Sequence, residues 1–469
     1  MAADDRLPKS AKATPEHLWG VPVEYSEEHI PEEELEAMRQ QTDTTGDAML
    51  EALLEHEPAL MRQQGSAGLR SALEEVLDKH QQAAASASQR RSPRSTAAAA
   101  ADPRVAAFVE HVSAEPNWLD RALLREGELV YLRYSTSASL GLMYFSLVGG
   151  FSAPKIIKVL DETGYLTRSD RNETWRRLNE TIEMVLDCIC ADDGLEVLGA
   201  GWWAVLKVRM MHSRVRRRLL ARGGARSWDK EAYGAPINQE DMMGTLLSFS
   251  INVLRAIQHT GAPWLTLREQ EAYLHLWRYI GHLIGVREEF NVCTGVRRAC
   301  GAVESVVQHL LMQPTPRSQQ VAQRVLASVA GRKLGAMKRP WSYGMHAELA
   351  RCMLGGPLAD ALGITASPLV TRVHAMVFLL VVRLINLVFP LLVRREGRLG
   401  AAVVRRTRAM LRWNCDTQLY PERFDSKGVA IPGADQWEPR TAHLSEVSVG
   451  VGEGEGEGGG PTCPFGFGQ

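Results

Sequence analysis

A single histidine stands among five arginines in the stretch VRMMHSRVRRRL, residues 208–219. On a helix, Arg209, His212 and Arg216 fall at i, i+3 and i+7 and share one face. The positive neighbours disfavour the imidazolium form of His212, and a neutral imidazole is the form that binds a metal or a haem iron. Arginines beside such a ligand can pair with haem propionates. A histidine on a solvated basic face is the competing interpretation.

A second polar cluster lies in RRLNET, residues 176–181. Arg177, Glu180 and Thr181 occupy one helical face at i, i+3 and i+4, and apolar residues continue that face. This pattern predicts a half-buried polar pocket. An ordinary ion pair between Arg177 and Glu180 explains the same spacing.

Two further stretches carry polar residues at helical spacing. In EAYLHLWRYIGHLIGV, residues 271–286, His275 and His282 share a side and are candidate ligands, although buried histidines of a core show the same pattern. In APINQEDMMGTLLSFS, residues 235–250, Asn238 precedes Asp241 by three positions and predicts a capped helix start.

Composition excludes several classes of protein. The 54 basic and 55 acidic residues nearly cancel, which argues against a dedicated nucleic-acid binder despite an acid-free basic run over 205–226. Seven cysteines without a CxxC pair argue against a zinc site or a disulfide framework and suit a reducing compartment. The first residues lack the apolar core of a signal peptide. We therefore expect an intracellular protein, cytoplasmic or endomembrane-associated and not secreted.

The elements that must position these residues are predicted to be helices, because apolar residues recur at three- and four-residue spacing and strand-like alternation is scarce. The fold class is therefore all-α. Five parts are predicted: an N-terminal helical extension (1–80), a flexible linker (81–104), a core (105–330), a C-terminal helical part (331–447) and a disordered Gly-rich tail (448–469).

The most apolar stretch is VHAMVFLLVVRLINLVFPLLV, residues 373–393. Its length suits a membrane span of roughly 20 residues. Arg383, Asn386 and Pro390 interrupt it, and a charge at mid-span is costly. A buried helix of the domain and a helix lying in the membrane interface are the alternatives.

Several stretches in this order resemble one family, which unites the bacterial rubber oxygenases (latex clearing proteins) with the fungal oxygenase that cleaves a farnesyl chain in mycophenolic acid biosynthesis. The matching stretches are DETGY (161–165), RRLNET (176–181), VRMMHSRVR (208–216), WDKEAYGAPINQEDMMGTLLSFS (228–250) and EAYLHLWRYIGHLIGV (271–286). The resemblance covers residues 105–330.

The resemblance implies a globin-related helical bundle around haem b, with His212 as the axial iron ligand and with Arg209 and Arg216 near the propionates. It further implies oxygen-dependent cleavage of a carbon–carbon double bond in an apolar isoprenoid, giving carbonyl products. His275 and His282 are the remaining candidates for contact with the cofactor.

The distal side of the rubber oxygenases carries an arginine, followed by a lysine and a threonine. The arginine and threonine positions correspond here to Arg177 and Thr181, whereas the lysine position is Glu180. This departure puts polymer cleavage in doubt. Either Asp161 or Glu162 corresponds to the family's distal acid, and such an acid in an apolar pocket is expected to have a raised pKa and to move protons.

Three other functions compete with the oxygenase. The first is a non-catalytic helical protein at a membrane surface, which binds through the basic run and the apolar stretch. The second is a family member that binds haem and lacks oxygenase activity. A nucleic-acid binder ranks last, because aromatic residues do not interleave with the basic run.

Overall fold

The computed structural model describes residues 17–19, 21–23, 25–56, 71, 73–75, 102–164, 170–224, 227–332, 340–394 and 397–424. The predicted Gly-rich tail and nearly all of the predicted linker lie outside these ranges, as do Tyr165 of the DETGY stretch and Arg226 of the basic run.

The described residues form helices almost entirely. One antiparallel pair of two-residue strands, β1 (His17–Leu18) and β2 (Val21–Pro22), precedes them. The α-helices of this described part are α1 (Glu32–Arg39), α2 (Thr44–His56), α3 (Pro103–Ser113), α4 (Arg121–Arg133), α5 (Ser135–Leu140), α6 (Pro154–Thr163), α7 (Arg171–Cys190), α8 (Ala200–Leu220), α9 (Lys230–Tyr233), α10 (Gln239–Phe249), α11 (Ile251–His259), α12 (Leu267–Ile284), α13 (Val296–Val306), α14 (Pro316–Val329), α15 (Tyr343–Leu354), α16 (Gly356–Ala361), α17 (Leu369–Val393) and α18 (Arg398–Leu419). Shorter segments are π-helical (Gly141–Val148, Val307–Leu311) or 3-10 helical (Glu288–Phe290, Pro421–Arg423). The all-α prediction is confirmed, including the N-terminal helices and the C-terminal apolar helix.

Local sequence signals set several helix ends. Gly164 follows α6 with a φ of 71°, a left-handed conformation that glycine adopts without a steric penalty. The side chain of Asn238 accepts a hydrogen bond from the backbone N–H of Asp241 at the start of α10. The predicted cap at Asn238 is therefore confirmed.

Two hydrophobic clusters hold the helices together. The larger one joins the N-terminal helices, through Leu35 and Met49, to α8 and α12, through Trp202 and Trp277. The second joins the π-helical segment Gly141–Val148 to α14–α17. Packing thus continues across the predicted boundaries of the 105–330 core in both directions.

Helix α17 contains the apolar stretch predicted over 373–393. By length and composition it could cross a membrane, and only 22% of its most apolar window is buried. One narrow face, which includes Ala375, Val382 and Asn386, packs against the rest of the protein. The alternative of a fully buried helix is therefore wrong.

Candidate functional site

Helices α7 and α8 form an antiparallel hairpin that positions both chemical motifs. They cross where Gly201 meets Cys188, and a Cβ added at Gly201 would lie 2.6 Å from the Cα of Cys188. Glycine is required for this close approach. Arg177 lies eleven residues before the crossing and His212 eleven residues after it. Both therefore lie roughly 16 Å from the crossing on neighbouring helices.

His212 is neutral and has an unused ring nitrogen. Its Nδ1 is buried and has no hydrogen-bond partner among the described residues. Burial, followed by the charge of Arg216, lowers the pKa of His212 to about 4 from an ordinary 6.5. Part of the His212 side chain is exposed, and Nδ1 does not belong to that part. A neutral, unpaired imidazole is the form that an axial ligand of haem requires, and His212 fits that role.

Arg209 and Arg216 have partners of their own. The guanidinium group of Arg209 makes a bidentate ion pair with Asp43, with N–O distances of 2.7 and 2.8 Å, and also donates to the carbonyl of Leu283 at 3.2 Å. Nη2 of Arg216 lies 2.8 Å from a carboxylate oxygen of Asp47. Both arginines are 1% exposed. They fasten the N-terminal helices to α8, and this geometry does not support the predicted pairing with propionates.

The RRLNET motif forms a buried polar group on α7. Nη1 of Arg177 lies 3.4 Å from Oε2 of Glu180, and the hydroxyl of Thr181 donates to the carbonyl of Arg177 at 3.2 Å. Burial raises the pKa of Glu180, against the opposing charges of Arg177 and Arg176. Oε1 of Glu180 is buried and accepts no hydrogen bond from the described residues, although Nε of Arg176 lies 3.3 Å from it. Burial thus favours the protonated form of Glu180 relative to an exposed glutamate.

The two candidate distal acids at the end of α6 are ion-paired. Asp161 makes a bidentate pair with Arg317, with contacts from 2.5 to 3.1 Å. Glu162 accepts hydrogen bonds from Lys158 at 2.8 Å and from Arg222 at 2.5 Å. The bond from Lys158, followed by that from Arg222, lowers the pKa of Glu162. The raised pKa expected of Glu162 is therefore wrong, because these two cations stabilise its carboxylate.

His275 and His282 both lie on α12, and each is hydrogen-bonded to another part of the protein. Nε2 of His275 accepts a hydrogen bond from the backbone N–H of Asp120 at 3.0 Å. His282 and His111 each donate through Nε2 to the other's backbone carbonyl at 3.0 Å, and their rings stack with centroids 4.2 Å apart. These contacts are structural, and a role toward a cofactor stays a prediction for both residues.

The sequence reasoning missed His346 on α15. This residue is fully buried, its Nδ1 lies 2.7 Å from the hydroxyl of Tyr144, and its Nε2 has no partner among the described residues. Burial lowers its pKa to about 4. Tyr144 belongs to the π-helical segment, a feature that often marks functional sites. No charged run surrounds His346 in the sequence, so only its burial identifies it as a rival to His212.

No group of three or more His, Cys, Asp or Glu side chains in the described ranges could hold a metal ion. A haem iron takes four ligands from the porphyrin, so one protein ligand is enough to anchor it. Within the described part of the chain, the candidate ligands are therefore single histidines and not a multi-residue metal centre.

Comparison with known proteins gives a family. Residues 132–386, more than half of the chain, match the family described as "ER-bound oxygenase mpaB/B'/Rubber oxygenase, catalytic domain". The "Rubber oxygenase" of Streptomyces sp. (strain K30) is 27% identical over 288 residues, which are 61% of this chain and 66% of that protein. The matched region thus spans just under two thirds of the relative. The solved "Structure of Latex Clearing Protein LCP in the closed state" is 19% identical, with a TM-score of 0.46 over 85% of this chain and 93% of that chain.

Proposed function

Since this chain belongs to the family of ER-bound oxygenases mpaB/B' and rubber oxygenases, we propose that it is a haem b-dependent oxygenase. Its substrate is an apolar isoprenoid or a lipid-like molecule, and dioxygen is the co-substrate that cleaves a carbon–carbon double bond. The single observation that carries this proposal is the neutral, unpaired imidazole of His212 on α8, the helix that packs against the RRLNET helix α7.

In this proposal His212 holds the iron through a ring nitrogen. When bound, the haem iron supplies the activation of dioxygen. The close contact at Gly201 holds α7 against α8, so the helix that carries Arg177, Glu180 and Thr181 packs beside the helix that carries His212.

Glu180 is the residue that we assign to proton handling at the site. Its buried carboxyl has a raised pKa and an oxygen that accepts no hydrogen bond from the described residues, so it can hold a proton and release it. Arg177 orients this carboxyl from one turn away. Asp161 and Glu162 are bound to Arg317, Lys158 and Arg222, which makes them weaker candidates.

The test of the cofactor is a visible absorption spectrum of the full chain, produced with haem precursor. Wild type, His212→Ala and His346→Ala are compared at equal protein concentration. A Soret band in wild type and in His346→Ala, lost or shifted in His212→Ala, is the expected result. If the Soret band is lost only in His346→Ala, the axial ligand is His346 on α15. Folded wild type without a Soret band overturns the proposal.

The test of the reaction uses the haem-loaded protein with short isoprenoids and polyisoprene, in air and under nitrogen. Aldehyde or ketone products that form only in air are the expected result. A Soret band without any such product favours the alternative of a haem-binding member that lacks oxygenase activity. Glu180→Gln is the matched variant, because it keeps the shape of the side chain and removes its exchangeable proton.

Membrane association and an intracellular location complete the proposal. An enzyme with an apolar substrate gains access to it at a bilayer, and α17 exposes thirteen large apolar side chains. Binding to anionic vesicles by a folded protein that takes up no haem when haem is supplied would instead favour the non-catalytic membrane-surface alternative.

A further inference from the structure

A small cavity of about 160 Å³ opens beside the exposed face of α17. Its walls come from residues 133–136, where α4 meets α5, from α17 and from α18. Ile385 and Met410 belong to its lining and are 39% and 56% exposed. The cavity therefore opens among apolar side chains at the surface.

Two polar groups at this cavity lack partners. The hydroxyl of Tyr134 and Nε of Arg133 are both buried, and neither forms a hydrogen bond with the described residues. Tyr134 is 1% exposed. A buried donor without a partner costs about 1–3 kcal/mol. Arg133 and Tyr134 both belong to the lining of the cavity.

The charge at the cavity is positive. Nη1 of Arg133 lies 2.6 Å from Oε1 of Glu269, and Arg394 binds the same carboxylate at 2.5–2.6 Å. Two guanidinium groups thus share one carboxylate. An anion is the ligand that such a site favours.

The surface around the cavity suits an anionic bilayer. Helix α17 contains no acidic residue, and α18 contains only Asp416. Exposed arginines stand among the apolar side chains of both helices: Arg372, Arg383, Arg398, Arg405 and Arg406. Apolar side chains enter the acyl boundary, while arginines reach the headgroups.

The packing of α17 sets its orientation to the membrane. Phe378 makes an edge-to-face contact with Trp341, Asn386 donates to the hydroxyl of Ser137 at 3.0 Å, and Arg394 pairs with Glu269 just after the helix ends. The body of the protein thus lines α17 along its length. A helix that crossed the bilayer would carry these polar partners into the hydrocarbon. A helix in the plane of the membrane leaves them outside.

We propose that the exposed faces of α17 and α18 lie in the plane of a bilayer and that the cavity at Tyr134 binds the phosphate of an anionic phospholipid headgroup. This inference extends the membrane association proposed above and does not depend on the haem. The Tyr134 hydroxyl and Arg133 Nε donate to the phosphate oxygens. The acyl chains lie along Ile385 and Met410.

The test is co-sedimentation of the full chain with phosphatidylcholine vesicles, with and without phosphatidylglycerol. Wild type is expected to bind both and to prefer phosphatidylglycerol. Leu380→Glu, on the exposed face of α17, is expected to lose binding to both. Leu220→Glu, which replaces a 41% exposed leucine at the end of α8, is the matched control and should bind like wild type.

Tyr134→Phe isolates the headgroup site, because it removes only a hydroxyl that has no hydrogen-bond partner among the described residues. Its melting temperature should match that of wild type, and its affinity for phosphatidylglycerol vesicles should fall about tenfold. Unchanged affinity of Tyr134→Phe for phosphatidylglycerol vesicles overturns the headgroup site alone. Absence of vesicle binding by wild type overturns the docking surface. The Soret band reports the proposed oxygenase separately in every sample.

Discussion

The ion pair between Asp43 and Arg209 offers a measurement that separates structure from function at the candidate site. Asp43 is 4% exposed and also accepts a hydrogen bond from the backbone N–H of Gly46 at 3.0 Å. Although burial alone would raise the pKa of Asp43, the charge of Arg209 lowers it below its ordinary value. The informative variants are Asp43→Asn, Arg209→Met and the double variant.

The expected magnitude follows from the burial of both partners. Removal of one member of a buried ion pair costs about 3–5 kcal/mol, because the other charge stays buried without compensation. The double variant leaves no such charge. We therefore expect it to lose less stability than the sum of the two single variants, with a coupling energy of about 2 kcal/mol or more.

The assay is urea unfolding followed by tryptophan fluorescence and far-ultraviolet circular dichroism, which together check that unfolding is two-state. The haem-loaded Arg209→Met protein should keep the wild-type Soret position, since Arg209 is bound to Asp43. Additive single variants would refute the stability argument. A Soret shift in Arg209→Met, absent in Asp43→Asn, would restore the propionate role of Arg209.

Three further variants test other features. Gly201→Val should destabilise the protein by about 1–3 kcal/mol, because α7 and α8 must separate, whereas Gly223→Ala, which has open space, should change its melting temperature little. Burial raises the pKa of Glu128 from 4.5 to about 7. Between these two pH values the unfolded chain loses the proton that the folded protein keeps, so the stability of wild type should fall by about 1–3 kcal/mol relative to Glu128→Gln. Urea titrations of both proteins at pH 4.5 and pH 7 measure this difference. Burial opposes the charged form of His309, but hydrogen bonds to Glu240 and Glu36 raise its pKa above 6.5. The stability lost in His309→Gln should therefore be largest below pH 6.5 and should vanish as pH rises through the raised pKa. An equal loss of stability at pH 9 would contradict this assignment.

Local features of the fold could be predicted from the sequence, because their causes are local. The helix stop at Gly164 needs only a left-handed residue, and the cap at Asn238 needs only a side-chain acceptor. The neutral state of His212 was also predicted, although burial contributes more than the arginine charges that motivated the prediction. The packing of α7, which carries RRLNET, against α8, which carries His212, depends on the close contact at Gly201, and no local pattern reveals that contact.

The remaining features depend on contacts between distant parts of the chain. The pairing of Asp43 and Asp47 with Arg209 and Arg216, 166 and 169 residues later in the sequence, requires the packed structure. The carboxylate of Glu162 is bound by the local Lys158, which contributes most to its lowered pKa, and also by Arg222, 60 residues away. His346 stands in an ordinary amphipathic helix, and only its complete burial shows that one of its nitrogens is unused. The sequence predicts which side chains could take part in catalysis or ligand binding, whereas the packed structure shows which of them are paired with other residues of the protein.

The buried pairing of the N-terminal helices with α8 has a consequence for the order in which the chain folds. Asp43 and Arg209 are 166 residues apart. At ribosomal rates of about 5–20 residues per second, roughly 8–33 seconds pass between their syntheses. During that time α1 and α2 lack the surface that completes their core. We therefore expect α1 and α2 to reach their final packing only after α8 has been made, since the partners of Asp43 and Asp47 lie on α8.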